Sequence, residues 1–396
     1  MSFEILGVAP QLIAKLKAMS IVVPLPIQQL VIPVSLRGES ILVSSQTGSG
    51  KTLAYLLPLL QNMTKRSEKK KHALILVPTR ELAQQIGEVC SQLSEDISLN
   101  YSVIVGGVSY DEQITSLQKS PEIIIATPGR LIDLLEQGVI PFKYVDYFAL
   151  DEVDQMLDLG FKEPILQLSK LRCKNAVTLC FSATLPESVV EVVNQISPSI
   201  TRLCLEGQSI SVESVDHLGY YVSFEMMDHL LLHLLRVENA EQAIIFTRSR
   251  KMADRIVKLL TENSIIAEAM HSDRSQAARE HILARFRSGE TSIIVATDVI
   301  ARGIDIDTIT HVFNFGLPQN AEQYIHRCGR VGRVGRSGRA ISLFTPDEKP
   351  MLDSICRLMK RHIVIDNSHP YLTPDVTRAL IAPADKVKKR QKAINN

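Results

Sequence analysis

The stretch of this chain best equipped for chemistry is SSQTGSGKT, residues 44–52, which follows the apolar run SILVSS and opens the helical pattern LAYLLPLLQNM. Gly48 and Gly50 permit backbone conformations and close approaches that a β-carbon blocks. Successive backbone N–H groups, together with the N-terminus of the following helix, can then cradle phosphate oxygens. Lys51 is placed to reach the β- and γ-phosphates of a nucleotide, and Thr52 to offer its hydroxyl to Mg²⁺. A strict phosphate loop asks for glycine at position 45, where this chain has Ser45. A glycine-rich turn without a ligand is the plainer alternative. The GSGKT core in a strand–loop–helix context favours nucleotide binding.

A second stretch completes that chemistry. LDEVD (150–154) ends the apolar strand pattern YFAL. An aspartate at the tip of a neighbouring parallel strand can hold Mg²⁺ through water, and the next glutamate can orient the water that attacks the γ-phosphate. These roles fall to Asp151 and Glu152. An isolated acidic pair after a strand is usually a solvated loop. Beside a phosphate loop on the same sheet it describes nucleoside triphosphate hydrolysis.

Such residues need rigid strand ends to hold them. Apolar or β-branched runs alternate with longer helical patterns: SILVSS (40–45), ALILV (73–77), SVIVG (102–106), EIIIAT (122–127), YFALDE (147–152) and VTLCFSAT (177–184). The second half repeats this with AIIFT (243–247), IIAEAM (265–270), SIIVATD (292–298), HVFNF (311–315) and AISLF (340–344). Continuously apolar strands separated by helices predict parallel sheets buried on both faces. The polar stretch EGQSISVESVD (206–216) lacks helical periodicity and reads as a linker. The pattern predicts two doubly wound α/β domains, as a length of 396 residues also suggests.

Bulk properties exclude several classes. No apolar run reaches the ~18–20 residues of a membrane span, and the opening MSFEILGVAP is not a secretory signal. The six cysteines (Cys90, Cys173, Cys180, Cys204, Cys328 and Cys356) contain no CxxC pair. They suit reduced thiols in the cytoplasm better than a zinc site or a disulfide scaffold. Residues 1–206 hold 18 Lys+Arg against 21 Asp+Glu, and residues 207–396 hold 26 against 22, so charge alone does not identify a nucleic-acid binder. The tail ADKVKKRQKAINN, with five basic residues and one acidic, reads as a solubilising end or a salt-sensitive phosphate contact.

In order along the chain, PLPIQ (24–28), SQTGSGKT (45–52), PTREL (78–82), GG (106–107), TPGR (127–130), DEVD (151–154) and SAT (182–184) resemble the first-domain motifs of DEAD-box RNA helicases. HSDRSQAAR (271–279), ATDVIARGIDI (296–306) and YIHRCGRVGR (324–333) resemble the second-domain motifs. The resemblance runs from Phe3 to about residue 366. It implies two tandem RecA-like domains, each a mostly parallel sheet with helices on both faces, with an ATP site in the cleft between them. The boundaries it implies are residues 1–206, a linker at 207–216, residues 217–366, and a C-terminal extension, 367–396. It also implies ATP and Mg²⁺ as cofactors, RNA as a sequence-tolerant partner, and a monomer whose targets are chosen by protein partners.

Roles follow position by position. The resemblance implies that Gln28 reads adenine through its amide while Phe3 supports that segment. Ser45, Gln46, Thr47, Gly48, Ser49, Gly50, Lys51 and Thr52 would hold the phosphates, and Asp305 the ribose. Ser182, Ala183 and Thr184 would couple nucleotide to RNA. Arg330 and Arg333 would be arginine fingers, with His326 linked to the acidic motif. RNA contacts would fall at Pro78, Thr79, Arg80, Gly107, Thr127, Pro128, Gly129 and Arg130, and at Thr247, Arg279, Thr297 and Asp298. Most of these types grip phosphate and sugar without reading bases.

The chain departs from the family pattern at Val153, where alanine is usual, and at Ser45. It departs more at the adenine end, with Ser20-Ile21 in place of glycine-aromatic and Leu25 in place of threonine. An aliphatic side chain covers adenine without the stacking geometry of a ring, so weaker ATP binding is expected. A DNA helicase of the same superfamily and an RNA clamp that barely hydrolyses ATP are the competing readings. The Gln28 segment and SAT argue against the first; Glu152 and both fingers argue against the second.

Overall fold

The structure, a computed structural model, describes residues 1–44, 49–64, 71–95, 97, 99–140, 143–204, 215–298, 309–331 and 338–381. The chain divides into two units, Met1–Gln208 and Ser209–Asn396.

The first unit is built on β1 (Ile41–Ser44), β2 (Ala73–Leu76), β3 (Tyr101–Ile104), β4 (Ile123–Ala126), β5 (Val145–Leu150), β6 (Arg172–Ser182) and β7 (Thr201–Cys204). Among the described residues they form one sheet in the order β3-β4-β2-β5-β6-β1-β7, every neighbouring pair parallel. Alternate side chains of each strand enter different cores. Ile41, Val43, Ala73 and Ile75 join one hydrophobic cluster, while Leu42, Leu74 and Leu76 join another. Two buried faces are why these strands read as unbroken apolar runs.

The second unit repeats the plan with β8 (Val215–Tyr221), β9 (Ala243–Thr247), β10 (Ala267–Met270), β11 (Ile293–Thr297), β12 (His311–Phe315), β13 (Gly338–Phe344) and β14 (Val364–Ile365). Their order is β10-β11-β9-β12-β13-β8-β14, again all parallel. Ile244 and Phe246 face one core; Ala243 and Ile245 face the other.

Three strands were not legible as strands. β7 is a short edge strand with Thr201 and Arg202 exposed, β14 has two residues, and β8 mixes Asp216 and His217 into its apolar pattern. Val215 and Asp216, read from sequence as the end of the linker, are the first residues of β8 and pair with Gly338 and Arg339. Residues 207–214 of that linker lie outside the described residues. Part of the expected C-terminal extension packs on the second unit: Val376, on the helix Pro374–Ile381, is buried in one core, with Leu372 and Leu380 against it.

Parallel strands all present their C-terminal ends on one edge of each sheet, where α/β folds bind ligands. The sequence motifs sit there. β1 leads into the phosphate loop, β5 into Asp151, β6 ends at Ser182, β2 leads into Pro78 and β4 into Thr127. In the second unit β9 ends at Thr247 and β11 at Thr297.

Candidate functional site

The helix Lys51–Met63 begins after Gly50, whose φ of +87° lies in the left-handed region that favours glycine. A β-carbon at Gly50 would also lie 2.6 Å from Gln28 Nε2 and 2.8 Å from Leu25 Cδ1. In the sheet, β6 separates β1 from β5, so the loop after β1 and the acidic tip of β5 are brought to the same edge. Lys51 Nζ stands 3.7 Å from Asp151 Oδ1, and the Tyr55 hydroxyl donates to Asp151 Oδ2 at 3.2 Å. Asp151 and Glu152 are both only 2% exposed. Burial pushes the Asp151 carboxyl up to a pKa of about 6; Lys51 opposes the rise and Glu152 adds to it. Burial, reinforced by Asp151, holds the Tyr55 hydroxyl well above its usual value, so it stays a donor.

Glu152 adopts φ 58° and ψ 55°. The left-handed region costs a non-glycine residue ~1–2 kcal/mol, and such strain collects at functional sites. It also caps the short helix Val153–Asp158. Val153 is fully buried in the core cluster that holds Leu150 and Met156. Its two extra methyl groups are therefore packed into the core.

Asp154 joins this motif to the next. Its Oδ2 accepts the backbone N–H and the hydroxyl of Thr184, each at 2.8 Å, and its own N–H donates to Ser182 Oγ at 3.2 Å. Ala183 lies between those two residues without a polar side chain of its own.

At the adenine end, Gln28 is buried on the helix Pro26–Leu36. Its Oε1 accepts from Leu25 N at 2.9 Å and its Nε2 donates to Gly50 O at 3.1 Å. The amide thus bridges the segment 24–28 to the phosphate loop. Each end keeps one further valence, a lone pair and an N–H. Phe3 is buried in the same cluster as Ile27 and Val31. Ile21 packs partly against that cluster, whereas Val22 and Val23 are exposed. Ser20 takes the left-handed conformation (φ 61°) that a glycine would hold with less strain.

The ends of β3, β4 and β2 gather the first-unit residues assigned by resemblance to RNA. Thr79 caps the helix Arg80–Ser94 by accepting from Leu82 N at 3.3 Å. The Arg80 guanidinium lies so close to Gly107 (φ +75°) that a β-carbon there would collide with it. Pro78 precedes this cap. Thr127 precedes the helix Pro128–Glu136, on which Arg130 Nη1 donates to Val108 O at 2.9 Å. The Arg130 guanidinium also stacks 3.9 Å from the centre of the Tyr110 ring. A β-carbon at Gly129 would meet nothing within 4 Å among the described residues.

In the second unit, Thr247 is buried at the tip of β9 with its hydroxyl donating to Ser249 O at 3.2 Å. Arg279 is buried on the helix Gln276–Arg287, its Nε donating to Arg274 O at 3.3 Å. Thr297 ends β11 and Asp298 follows it. Both Asp298 carboxylate oxygens are taken by Arg327, one at 2.8 Å from Nη2. Arg327 also donates to Asn314 Oδ1 at 3.0 Å and lies over the Phe246 ring. This places Asp298 in an ion pair that fastens β11 to the helix Ala321–Cys328, which carries His326. Arg330 follows that helix, and its Nε donates to His326 O at 3.2 Å. Ser45, Gln46, Thr47, Gly48, Asp305 and Arg333 lie outside the described residues; Ser49 and Thr52 flank Gly50 and Lys51 at the start of the helix.

Sequence reasoning missed Tyr55, Tyr110, Arg327 and Gln155. Tyr55 stands four residues after Lys51, on the same helix face as Thr52, which was a usable signal. Tyr110 and Arg327 could not be found, because their partners are distant in sequence: Arg130 and Asp133 on the helix Pro128–Glu136 for the first, and Asp298 and Asn314 at the ends of β11 and β12 for the second. Gln155, fully buried beside Asp154, has neither side-chain amide atom hydrogen-bonded among the described residues.

Comparison with known proteins gives a consistent picture. The family model described as DEAD/DEAH box helicase matches residues 25–192, and that described as helicase conserved C-terminal domain matches residues 224–335. The RNA helicase CrhR of Synechocystis sp. is 37% identical over 365 residues, covering 92% of this chain and 74% of that protein. The DEAD-box ATP-dependent RNA helicase CshA of Bacillus cereus is 34% identical over 360 residues, covering 91% and 68%. Among solved structures, S. cerevisiae Dbp5 bound to RNA and ADP BeF3 aligns with a TM-score of 0.84 at 27% identity, covering all of both chains. Mss116p bound to ssRNA and AMP-PNP aligns with a TM-score of 0.80 at 26% identity, covering 98% of this chain and 83% of that one.

Proposed function

The chain belongs to the DEAD-box family of ATP-dependent RNA helicases, and on that footing we propose that it couples Mg²⁺–ATP hydrolysis to the local unwinding of short RNA duplexes or the remodelling of RNA–protein complexes. The observation that carries this reading is the motif DEVD held at both ends, Asp151 facing Lys51 and Asp154 bonded to Ser182 and Thr184, so that one short segment joins the start of the phosphate-loop helix to SAT.

The residues present suit the cofactors. Asp151 is a buried carboxylate whose Oδ1 accepts no hydrogen bond among the described residues, and its raised pKa marks a place where positive charge is wanted. Thr52 and Asp151 would hold Mg²⁺, Asp151 partly through water. The ion supplies neutralisation of phosphate charge. Lys51 binds the phosphates, the glycines leave room for them, and Gln28 reads adenine with the valences not spent on Leu25 and Gly50. Glu152 orients the attacking water from its buried place at the tip of β5. Arg330 and Arg333 stabilise charge on the transferring phosphoryl group, His326 links to the acidic motif, and Asp305 takes the ribose, so turnover needs both domains.

RNA is held at the tips of β2, β3 and β4 by Pro78, Thr79, Arg80, Gly107 and Thr127 to Arg130, and in the second domain by Thr247, Arg279 and Thr297. The open space over Gly129 suits a backbone approached by a sugar-phosphate chain. Asp298 acts there through its grip on Arg327, holding the end of β11. The same proposal takes the protein as a cytoplasmic monomer. No described helix is long and apolar enough to cross a membrane, and Cys90, Cys173, Cys180, Cys328 and Cys356 are free.

The direct test is RNA-stimulated phosphate release and unwinding of matched RNA and DNA duplexes. Lys51→Ala is expected to reduce both RNA-dependent activities at least ~100-fold; full activity would sink the assignment. Preference for a DNA duplex would transfer the chain to a DNA-acting branch. Unwinding supported equally by a non-hydrolysable ATP analogue over many turnovers would make it a clamp. At the adenine end, Ile21→Phe should tighten ATP binding roughly fivefold, the equivalent of ~1 kcal/mol of ring stacking. Unchanged affinity in a nucleotide titration would refute the role given to Ile21.

A further inference from the structure

Apart from the motif residues, the second unit carries an open pocket of about 520 Å³ between the helix Lys349–Met359 and β14. Its floor is apolar: Tyr221, Leu352 and Ile363 are buried, and Cys356 and Ile365 are half-buried. Its rim is basic, formed by Lys349, Arg357, Lys360, Arg361 and His362. The aspartate lining it, Asp353, is already held by Lys349 Nζ at 3.0 Å. A basic residue at a helix C-terminus is partly explained by the helix dipole. That explanation covers Arg357 and Lys360, and not a rim that continues through Arg361 and His362. β14 closes one side of the pocket and is the last strand of its sheet, paired only with β8 among the described residues. Val364 on it is 64% exposed.

We propose that this pocket docks an acidic peptide segment of a protein partner, with an apolar side chain seated on the floor and carboxylates on the basic rim. Charge complementarity selects the occupant. The chain's own tail, ADKVKKRQKAINN, carries the same sign as the rim and would be repelled. RNA is disfavoured by the floor, which offers aliphatic side chains and sulfur. Tyr221 gives no stacking platform, since its ring is buried edge-on against Phe344 at 4.7 Å. An exposed strand edge beside an apolar pocket is a recurrent way of binding extended peptides, with backbone pairing for affinity and the pocket for specificity. The site gives a target-choosing partner a place to bind that uses none of the residues assigned to ATP or RNA.

The test uses the full chain and a fluorescein-labelled probe peptide of about twelve residues alternating Glu/Asp with Leu/Phe, read by anisotropy. Two altered probes replace Leu/Phe by Ser, or the acids by Lys; labelled decauridylate reports RNA binding. The acidic–apolar probe is expected to bind, and both altered probes to bind at least about tenfold more weakly. The double variant Arg357→Glu/Lys360→Glu should lose about tenfold or more on the probe while RNA-stimulated ATPase and decauridylate affinity stay within about twofold. Retained ATPase shows that the variant folds. Equal probe binding by the variant, or equal binding of the Ser probe, overturns the proposal. So does a variant that loses decauridylate affinity alone, which would make the rim an RNA surface. Probe binding that vanishes only because the chain self-associates through this face, seen by sedimentation, would assign the pocket to a second copy instead.

Discussion

Glu152→Gln is expected to lower RNA-stimulated ATP turnover by roughly 10²–10⁴-fold, the range associated with a positioned general base, while ATP and RNA affinities stay within about threefold. The substitution preserves shape, so the left-handed backbone at φ 58° and the start of the helix Val153–Asp158 should persist. It removes the negative charge that orients and accepts a proton from the attacking water. Glu152 is buried at the tip of β5, which distinguishes it from an acidic residue in a solvated loop. Because hydrolysis stops while binding continues, the variant should accumulate as a long-lived complex with RNA and ATP. Phosphate release at saturating RNA, combined with RNA dissociation rates, checks both halves. Turnover within tenfold of the parent would remove Glu152 from the mechanism.

The second large effect concerns Asp151. Asp151→Asn should abolish Mg²⁺-dependent turnover and, at the same time, stabilise the ligand-free protein. The sign follows from the raised pKa, about 6 against an ordinary 3.8, caused first by burial. A carboxyl raised on folding is protonated more readily in the folded state. It therefore contributes a penalty that is fully present above pH ~6 and disappears as the pH falls towards ~4. A rise from 3.8 to about 6 corresponds to ~3 kcal/mol. For a domain of this size that is a melting shift of roughly 6–12 °C. Thermal melts in chelator without nucleotide should show Asp151→Asn well above the parent at pH 8, with the gap closing near pH 4. Mg²⁺–ATP should raise the melting temperature of the parent and much less that of the variant. A variant melting below the parent at pH 8 would show that the loss of Lys51's partner at 3.7 Å outweighs relief of the buried charge.

Much of this was readable from local pattern. Strands such as β2 and β4, apolar at every position, announced sheets covered on both faces, and GSGKT and DEVD announced phosphate chemistry. The pattern failed where burial is one-sided or a strand is short, as at β7, β8 and β14. An edge strand with exposed Thr201 and Arg202 has no reason to be apolar.

By itself the sequence determined the chemistry available and the order of the motifs: a phosphate loop at 45–52, an acidic pair at 151–152, SAT at 182–184 and an arginine-rich stretch at 326–333. These depend on residue type and short spacing, which are local properties. Only the tertiary structure decided which distant groups share a site. Lys51 meets Asp151 because β1 and β5 flank β6, and Asp151 sits near pH 6 because the fold buries it. Asp298 belongs to Arg327 because β11 ends beside the helix Ala321–Cys328. The basic-rimmed pocket exists because β14 returns to the sheet beside β8 after the helix Lys349–Met359. Burial and long-range pairing are set by packing of the whole chain, and no window of sequence contains them.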